Sequence, residues 1–238
     1  MFLYPEHAKV ERILPKNKIY GYAQPTRGIR QRFVSEVDEI VWRYKLAPET
    51  LRLPARSGVE EIQVFQIALK TGVLREDVLR TIDRAIPSLL FFELTFHGQV
   101  RFAAAYKRPS LSGKGEGSSS QPVVDACYYE TPWQDASGPQ APVRQPLPVA
   151  LDMGGLYEQM LCQHMLASPL GLVSRPGETL PETVERGNQI RAKRRECQKL
   201  EVKLRKEIQF NRKVEINGAL RQCRAELDEL ERASDSKG

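Results

Sequence analysis

Residues 37–46 read Val-Asp-Glu-Ile-Val-Trp-Arg-Tyr-Lys-Leu, and the period of this stretch decides the fold class. From Ile40 onward every second residue is apolar (Ile40, Trp42, Tyr44, Leu46), while Arg43 and Lys45 stand between them. A period of two places the first set on one face of a β-strand, so one face is buried. Upstream the period differs. Thr26 is a suitable cap, and Ile29, Phe33 and Val37 follow at helical spacing, which predicts a helix over 27–36. Downstream, in Glu61 to Lys70, Ile62, Val64, Ile67 and Leu69 bracket Phe65, so both faces are apolar and the strand is central.

The rest of the first half completes a layer. An amphipathic helix is predicted over 75–86, with Val78, Leu79, Ile82 and Ala85 on one side and Pro87 ending it. Strands over 89–96 and 99–106 meet at His97-Gly98, a tight-turn pair, and 123–130 offers a fifth strand. The first 25 residues hold Pro5, Pro15 and Pro25 and read as an extended lead-in with at most a short helix over 5–12. The expected class is α+β: a small, mostly antiparallel sheet with helices on one face, followed by a long carboxy-terminal helical arm, either coiled coil or helical hairpin.

Composition divides the chain further. Residues 1–130 form the expected α+β domain, interrupted at 109–122 by a Gly/Ser-rich loop expected to be mobile. Five prolines in 131–150 read as a linker, 151–180 as a short helix and connector, and 181–232 as a basic helical arm. The chain of 238 residues has net charge +6 and mean hydropathy −0.45. That charge is local. Thirteen Lys and Arg face four Glu between Arg186 and Arg224, a net +9, so the remaining 199 residues carry −3. The candidate contacts for a nucleic acid or partner are Arg191, Lys193, Arg194, Arg195, Lys199, Lys203, Arg205, Lys206, Arg212 and Lys213, because clustered cations release counterions from phosphate backbones.

The arm carries a narrow apolar seam. Ile190, Cys197, Leu200, Leu204 and Ile208 form one stripe; Ile216, Leu220, Cys223, Leu227 and Leu230 form a second, rotated by roughly 100°. The register slips between Ile208 and Ile216, which fits either a hairpin turning there or a long helix with a stutter. Such a seam needs a partner: its own second half, a second copy or another protein.

Catalytic motifs are sparse. Asp38 followed by Glu61-Ile62-Gln63 has the order of a restriction-type Mg²⁺ nuclease, with Gln63 where the lysine belongs. No Gly-x-Ser-x-Gly occurs, and Gly113-Lys114 lacks the earlier glycine of a phosphate-cradling loop. His7, His97 and His164 are scattered, and Cys127, Cys162, Cys197 and Cys223 make no CxxC, so neither a metal nor another cofactor is expected. The aromatics Trp42, Tyr44, Phe65, Phe91, Phe92 and Phe96 are of the kind that stacks on bases, but at alternating spacing on strands they read as core. Met1 to Val10 holds Pro5, Glu6 and His7 where a secretion signal is apolar, and no apolar run approaches a membrane span. A cytoplasmic protein with reduced thiols and no membrane partner is the expectation.

Four blocks carry a resemblance: Val37–Leu46, Glu61–Lys70, Ile82–Pro87 with its following strand, and Lys206–Asn217. Together they resemble a bacterial family catalogued only as a domain of unknown function, over about Pro5 to Leu230. Its members are typically encoded beside DNA methyltransferases and helicase-nuclease subunits in restriction-like antiphage clusters. The resemblance implies an accessory subunit of such a DNA-modifying or DNA-translocating complex, with a methyltransferase or helicase as partner, and it supplies no catalytic residues. With the +9 arm and its apolar stripes the reading is a non-enzymatic adaptor, with DNA as a further partner. The alternatives are the Mg²⁺ nuclease on Asp38 and Glu61 and a homodimeric scaffold.

Overall fold

The computed structural model describes residues 2–56, 59–108, 123–139, 141 and 143–232, in two compact units, 1–169 and 170–238. The 109–122 loop therefore lies outside the described residues, as does its expected mobility.

The first unit is built on a twisted sheet with strand order β2-β3-β4-β5-β6-β7. Its strands are β2 (Lys9–Ile13), β3 (Val37–Leu46), β4 (Ile62–Leu69), β5 (Leu89–Phe96), β6 (Gln99–Arg108) and β7 (Val123–Glu130). All neighbours are antiparallel except β4 and β5. A parallel pair cannot be closed by a short turn, and α4 (Glu76–Ala85) supplies the crossover. The β5–β6 hairpin turns at His97 and Gly98, both at positive φ (45° and 77°), the geometry whose twist matches the strands it joins.

Two elements before Thr26 escaped the extended lead-in reading: β2 pairs β3 at the sheet edge, and α1 (Lys16–Ala23) follows Pro15. Then come α2 (Arg27–Glu36), whose Thr26 hydroxyl accepts from the Ile29 N–H, and the single turn α3 (Pro48–Leu51). Ile19, Phe33, Val78, Leu79 and Ile82 of α1, α2 and α4 meet Ile40, Phe65, Ile67, Phe92 and Leu94 in one core.

Helices cover both faces, not one. Strand side chains alternate, so if Leu90, Phe92 and Leu94 face α4, Phe91 faces the other way. There α5 (Met153–Ala167) stands, with Tyr157 and His164 against Phe91 at ring separations of 6.1 and 5.0 Å. Consequently the globular part does not end near Glu130. Nor is 131–150 a free linker: β8 (Gln134–Asp135) pairs β6, β9 (Gln145–Pro146) pairs β1 (Phe2–Leu3), and Arg144 reaches the buried Glu93 at 3.2 Å.

A buried polar knot joins the layers. Lys107 Nζ lies 2.8 Å from Asp83 Oδ1 with both side chains shut off from solvent. It also donates to the carbonyls of Ile86 (3.0 Å) and Ser88 (2.6 Å), while the Tyr128 hydroxyl donates to Asp83 Oδ2. Burial pushes the Asp83 carboxyl up and the Lys107 ammonium down, each opposed by the other. With every proton matched to an acceptor, the knot is a structural tie between α4 and β6.

The second unit is a helical hairpin of α6 (Leu180–Lys206) and α7 (Phe210–Glu231). No helix among the described residues is long and apolar enough to cross a membrane.

Candidate functional site

The hairpin closes its seam on itself. Cys197, Leu220 and Cys223 are buried together, with Leu200, Leu204 and Leu227 packed against them, while Ile190 is buried near the start and Leu230 is half-buried near the end. Ile208 is the exception: predicted as seam, it is 90% exposed. The reason is local. Helix α6 stops at Lys206, and the Glu207 carboxylate accepts the N–H groups of Ile208 and Gln209 (both 2.9 Å), which opens the turn into α7. Those two N–H groups hold the Glu207 carboxyl below its usual range. Because the second half of the arm completes the seam, the seam no longer argues for a second copy of the chain.

The cations fall into two groups. Towards the root they are tied down: Lys193 to Glu226 (2.6 Å) and Glu196 (3.0 Å), and Arg194 to Glu231 (2.8 Å). Arg224 pairs Glu201 at 2.7 Å across the hairpin. Arg191 is half-buried and engaged. Arg186 grips Glu178 through two nitrogens (2.8 and 2.7 Å), and this hydrogen bonding holds the Glu178 carboxyl down at about 2. Arg195, Lys199, Lys203, Arg205, Lys206, Arg212 and Lys213 are all exposed, and none forms a side-chain hydrogen bond or ion pair among the described residues. Six of those seven, Lys199 to Lys213, surround the 207–209 turn.

Two features distinguish this tip from a solvated helix end. Lys203, Arg205 and Lys206 occupy the last turn of α6, where cations suit the helix dipole. Arg212 and Lys213 sit in the opening turns of α7, where the dipole is already positive, and no acid stands in its first turn. Beside them Ile208, Phe210 (77% exposed) and Val214 stand in solvent. The tip is thus a cluster of cations, none of them in an ion pair among the described residues, around exposed apolar side chains, with Glu207 in the turn drawing on Arg212 and Lys203 only at longer range. Periodicity missed Ile208 and Phe210 because it extended the stripe past the end of the helix; their place at the slip was the signal available.

The nuclease pair is not brought together. In the β3–β4 register Val37 faces Leu69 and Leu46 faces Ile62, so Asp38 and Glu61 lie at opposite ends of the pair. At roughly 3.3 Å per residue that is about 25 Å. Asp38 neighbours Lys16, whereas Glu61 accepts from Gln63 (2.5 Å) and Ser88 and stands 3.4 Å from Lys45. Among the described residues no three His, Cys, Asp or Glu side chains are grouped to hold a metal ion.

The fold and tip define a class: a mixed α/β sheet unit followed by a helical hairpin with a cationic, apolar end. The chain belongs to the family described as "Domain of unknown function (DUF4391)", whose model matches residues 2–227 and so spans both units. No curated protein and no solved structure matches it.

Proposed function

We propose that this chain is a non-enzymatic accessory subunit of a bacterial DNA-targeting, restriction-like assembly, and that the hairpin tip is its docking end on the DNA backbone. A methyltransferase or helicase subunit is the protein partner in this reading. The observation that carries it is the placement of Arg212 and Lys213 at the positive end of α7, beside Lys203, Arg205 and Lys206, none of their side chains in a hydrogen bond or ion pair among the described residues. Cations gathered against a helix dipole raise the local potential, and an anionic backbone offsets that cost. The exposed Phe210 and Ile208 add apolar contact of the kind that reaches sugar edges or a base step.

The test is binding of a short DNA duplex, followed by anisotropy between about 50 and 200 mM salt. The expected log–log slope is steep, and K203S/R205S/R212S/K213S reduces it by about 3.6, near 0.9 for each of four phosphates released. A slope unchanged by the four substitutions refutes the tip as the DNA contact. Affinity purification from the native cell that brings down neither a methyltransferase nor a helicase subunit refutes the assembly.

A further inference from the structure

A cleft of about 400 Å³ opens in the sheet unit where edge strand β2 passes under α1, well within the size range of small-ligand sites. Its floor is one cross-strand row: Arg12 faces Trp42, and Trp42 faces Phe65. The two rings are stacked, with planes 16° apart and centroids separated by 6.2 Å. Phe65 is sunk in the core, whereas Trp42 is only half-buried, so the stack has one anchored end and one open end. The indole is held in place by its Nε1–H, which donates to the Tyr44 carbonyl at 3.0 Å.

Cations and an unspent acceptor complete the site. Lys18 and Tyr22 lie one turn apart on α1, both exposed, and both line the cleft with Arg12. Neither Arg12 nor Lys18 uses its charged group in a hydrogen bond or ion pair among the described residues. At the back Gln63 is 8% exposed. Its Nε2 donates to Glu61 Oε1 at 2.5 Å and Ser88 Oγ at 3.0 Å. A carboxylate only accepts, so Glu61 fixes which end of the amide faces it, and both Nε2 protons are used. The Gln63 carbonyl oxygen receives no hydrogen bond among the described residues.

The backbone is bent to build this row. The β2–β3 register shifts between Lys9 and Arg12, and Glu11 within the shift sits at φ 51°, the left-handed region that a non-glycine residue seldom occupies. A bulge re-aims the side chain beside it, and here it brings Arg12 opposite Trp42. A cation on an edge strand also deters sheet-to-sheet pairing, but that role needs it in open solvent, not on the wall of a cleft.

We infer that this cleft binds a nucleoside monophosphate. A planar heteroaromatic base stacks on the open face of Trp42, and its exocyclic amine donates to the Gln63 carbonyl oxygen. The phosphate lies between Arg12 and Lys18. No single feature selects this ligand; a platform, a lone acceptor and two unpaired cations within one cleft do. The site is separate from the hairpin tip and does not depend on the role proposed for it.

The chain has two tryptophans, so Trp133→Phe leaves Trp42 as the sole reporter. Titrating AMP into that full-length variant is expected to quench its fluorescence saturably, and calorimetry on the unsubstituted protein gives the same affinity. IMP, with a carbonyl in place of the amine, is expected to bind roughly fivefold or more weakly. R12S/K18S, two exposed positions that leave the fold intact by circular dichroism, is expected to weaken AMP by about tenfold and adenosine not at all. A dA4 strand that quenches more strongly than AMP points to a strand-borne nucleotide as the source; a weaker one points to the free nucleotide. Absence of AMP binding by both methods at millimolar concentration overturns the site, as does an equal AMP affinity in R12S/K18S.

Discussion

His164 is a buried imidazole of the sheet unit whose charge state bears on stability. Its ring lies among Phe91 (5.0 Å), Phe2 (6.0 Å) and Phe102 (6.3 Å), and its Nδ1 has no hydrogen-bond partner among the described residues. Burial holds its pKa down at about 3. In the unfolded chain the same imidazole protonates near pH 6.5, so stability is complete above that value and falls as pH drops towards 3. At about 1.4 kcal/mol per pH unit, the loss between pH 6.5 and 5 is about 2 kcal/mol. His164→Phe keeps the ring packing and removes the proton site. Urea midpoints measured at pH 7.5 and 5 are expected to fall in the wild type and stay level in the variant. An equal fall in both places the sensitivity in other groups. Glu178 acts in a lower window: held at about 2, it contributes stability above its ordinary 4.5 that is lost only below it.

At the scale of elements, what separates seam from tip is burial, and substitution distinguishes them. Leu220 is buried with both hairpin cysteines, so Leu220→Ala is expected to cost about 2–4 kcal/mol and lower the melting temperature of the hairpin. Ile208→Ser, at the end of the first apolar stripe by sequence, is expected to change stability by less than about 0.5 kcal/mol. Far-UV thermal melts of the two variants check this, and equal destabilisation refutes the turn at 207–209. Much of the rest was legible. The Thr26 cap marked α2 to the residue, the alternation in 37–46 and the double-faced run from Ile62 marked β3 and β4, and His97-Gly98 marked its turn. These signals are local. Strand β2 was not legible because Lys9-Val10-Glu11-Arg12-Ile13 is an exposed edge with a bulge and shows no alternation. Hairpin and stuttered rod produce the same slip in an apolar stripe, so periodicity could not choose between them. Trp42 reads as core by its spacing, and only the non-local pairing with Arg12 and Phe65 shows one face of it to be open.

For the molecule as a whole, the consequence lies in residues 131–169, which composition assigned to a linker and a separate helix. Pairing of β8 with β6, the Arg144–Glu93 ion pair and α5 over Phe91 and Phe102 tie this stretch to the sheet's second face. Fully burying one large apolar side chain is worth about 1.5–3 kcal/mol, and Phe91, Phe102, Leu156, Tyr157, Met160 and Leu161 are all buried. Uncovering even three of them takes away an amount comparable to the whole stability of a domain, about 5–15 kcal/mol. A chain of residues 1–169 is therefore expected to unfold in one cooperative transition, whereas residues 1–130 are expected to give a shallow melt and to bind hydrophobic dyes. Calorimetry of the two fragments decides the matter: a sharp transition in the shorter one means that the sheet's first face suffices and α5 is an attachment. The expected outcome makes the sheet unit, with its Trp42 cleft, an autonomous body to which the hairpin unit adds a second and separately testable binding end.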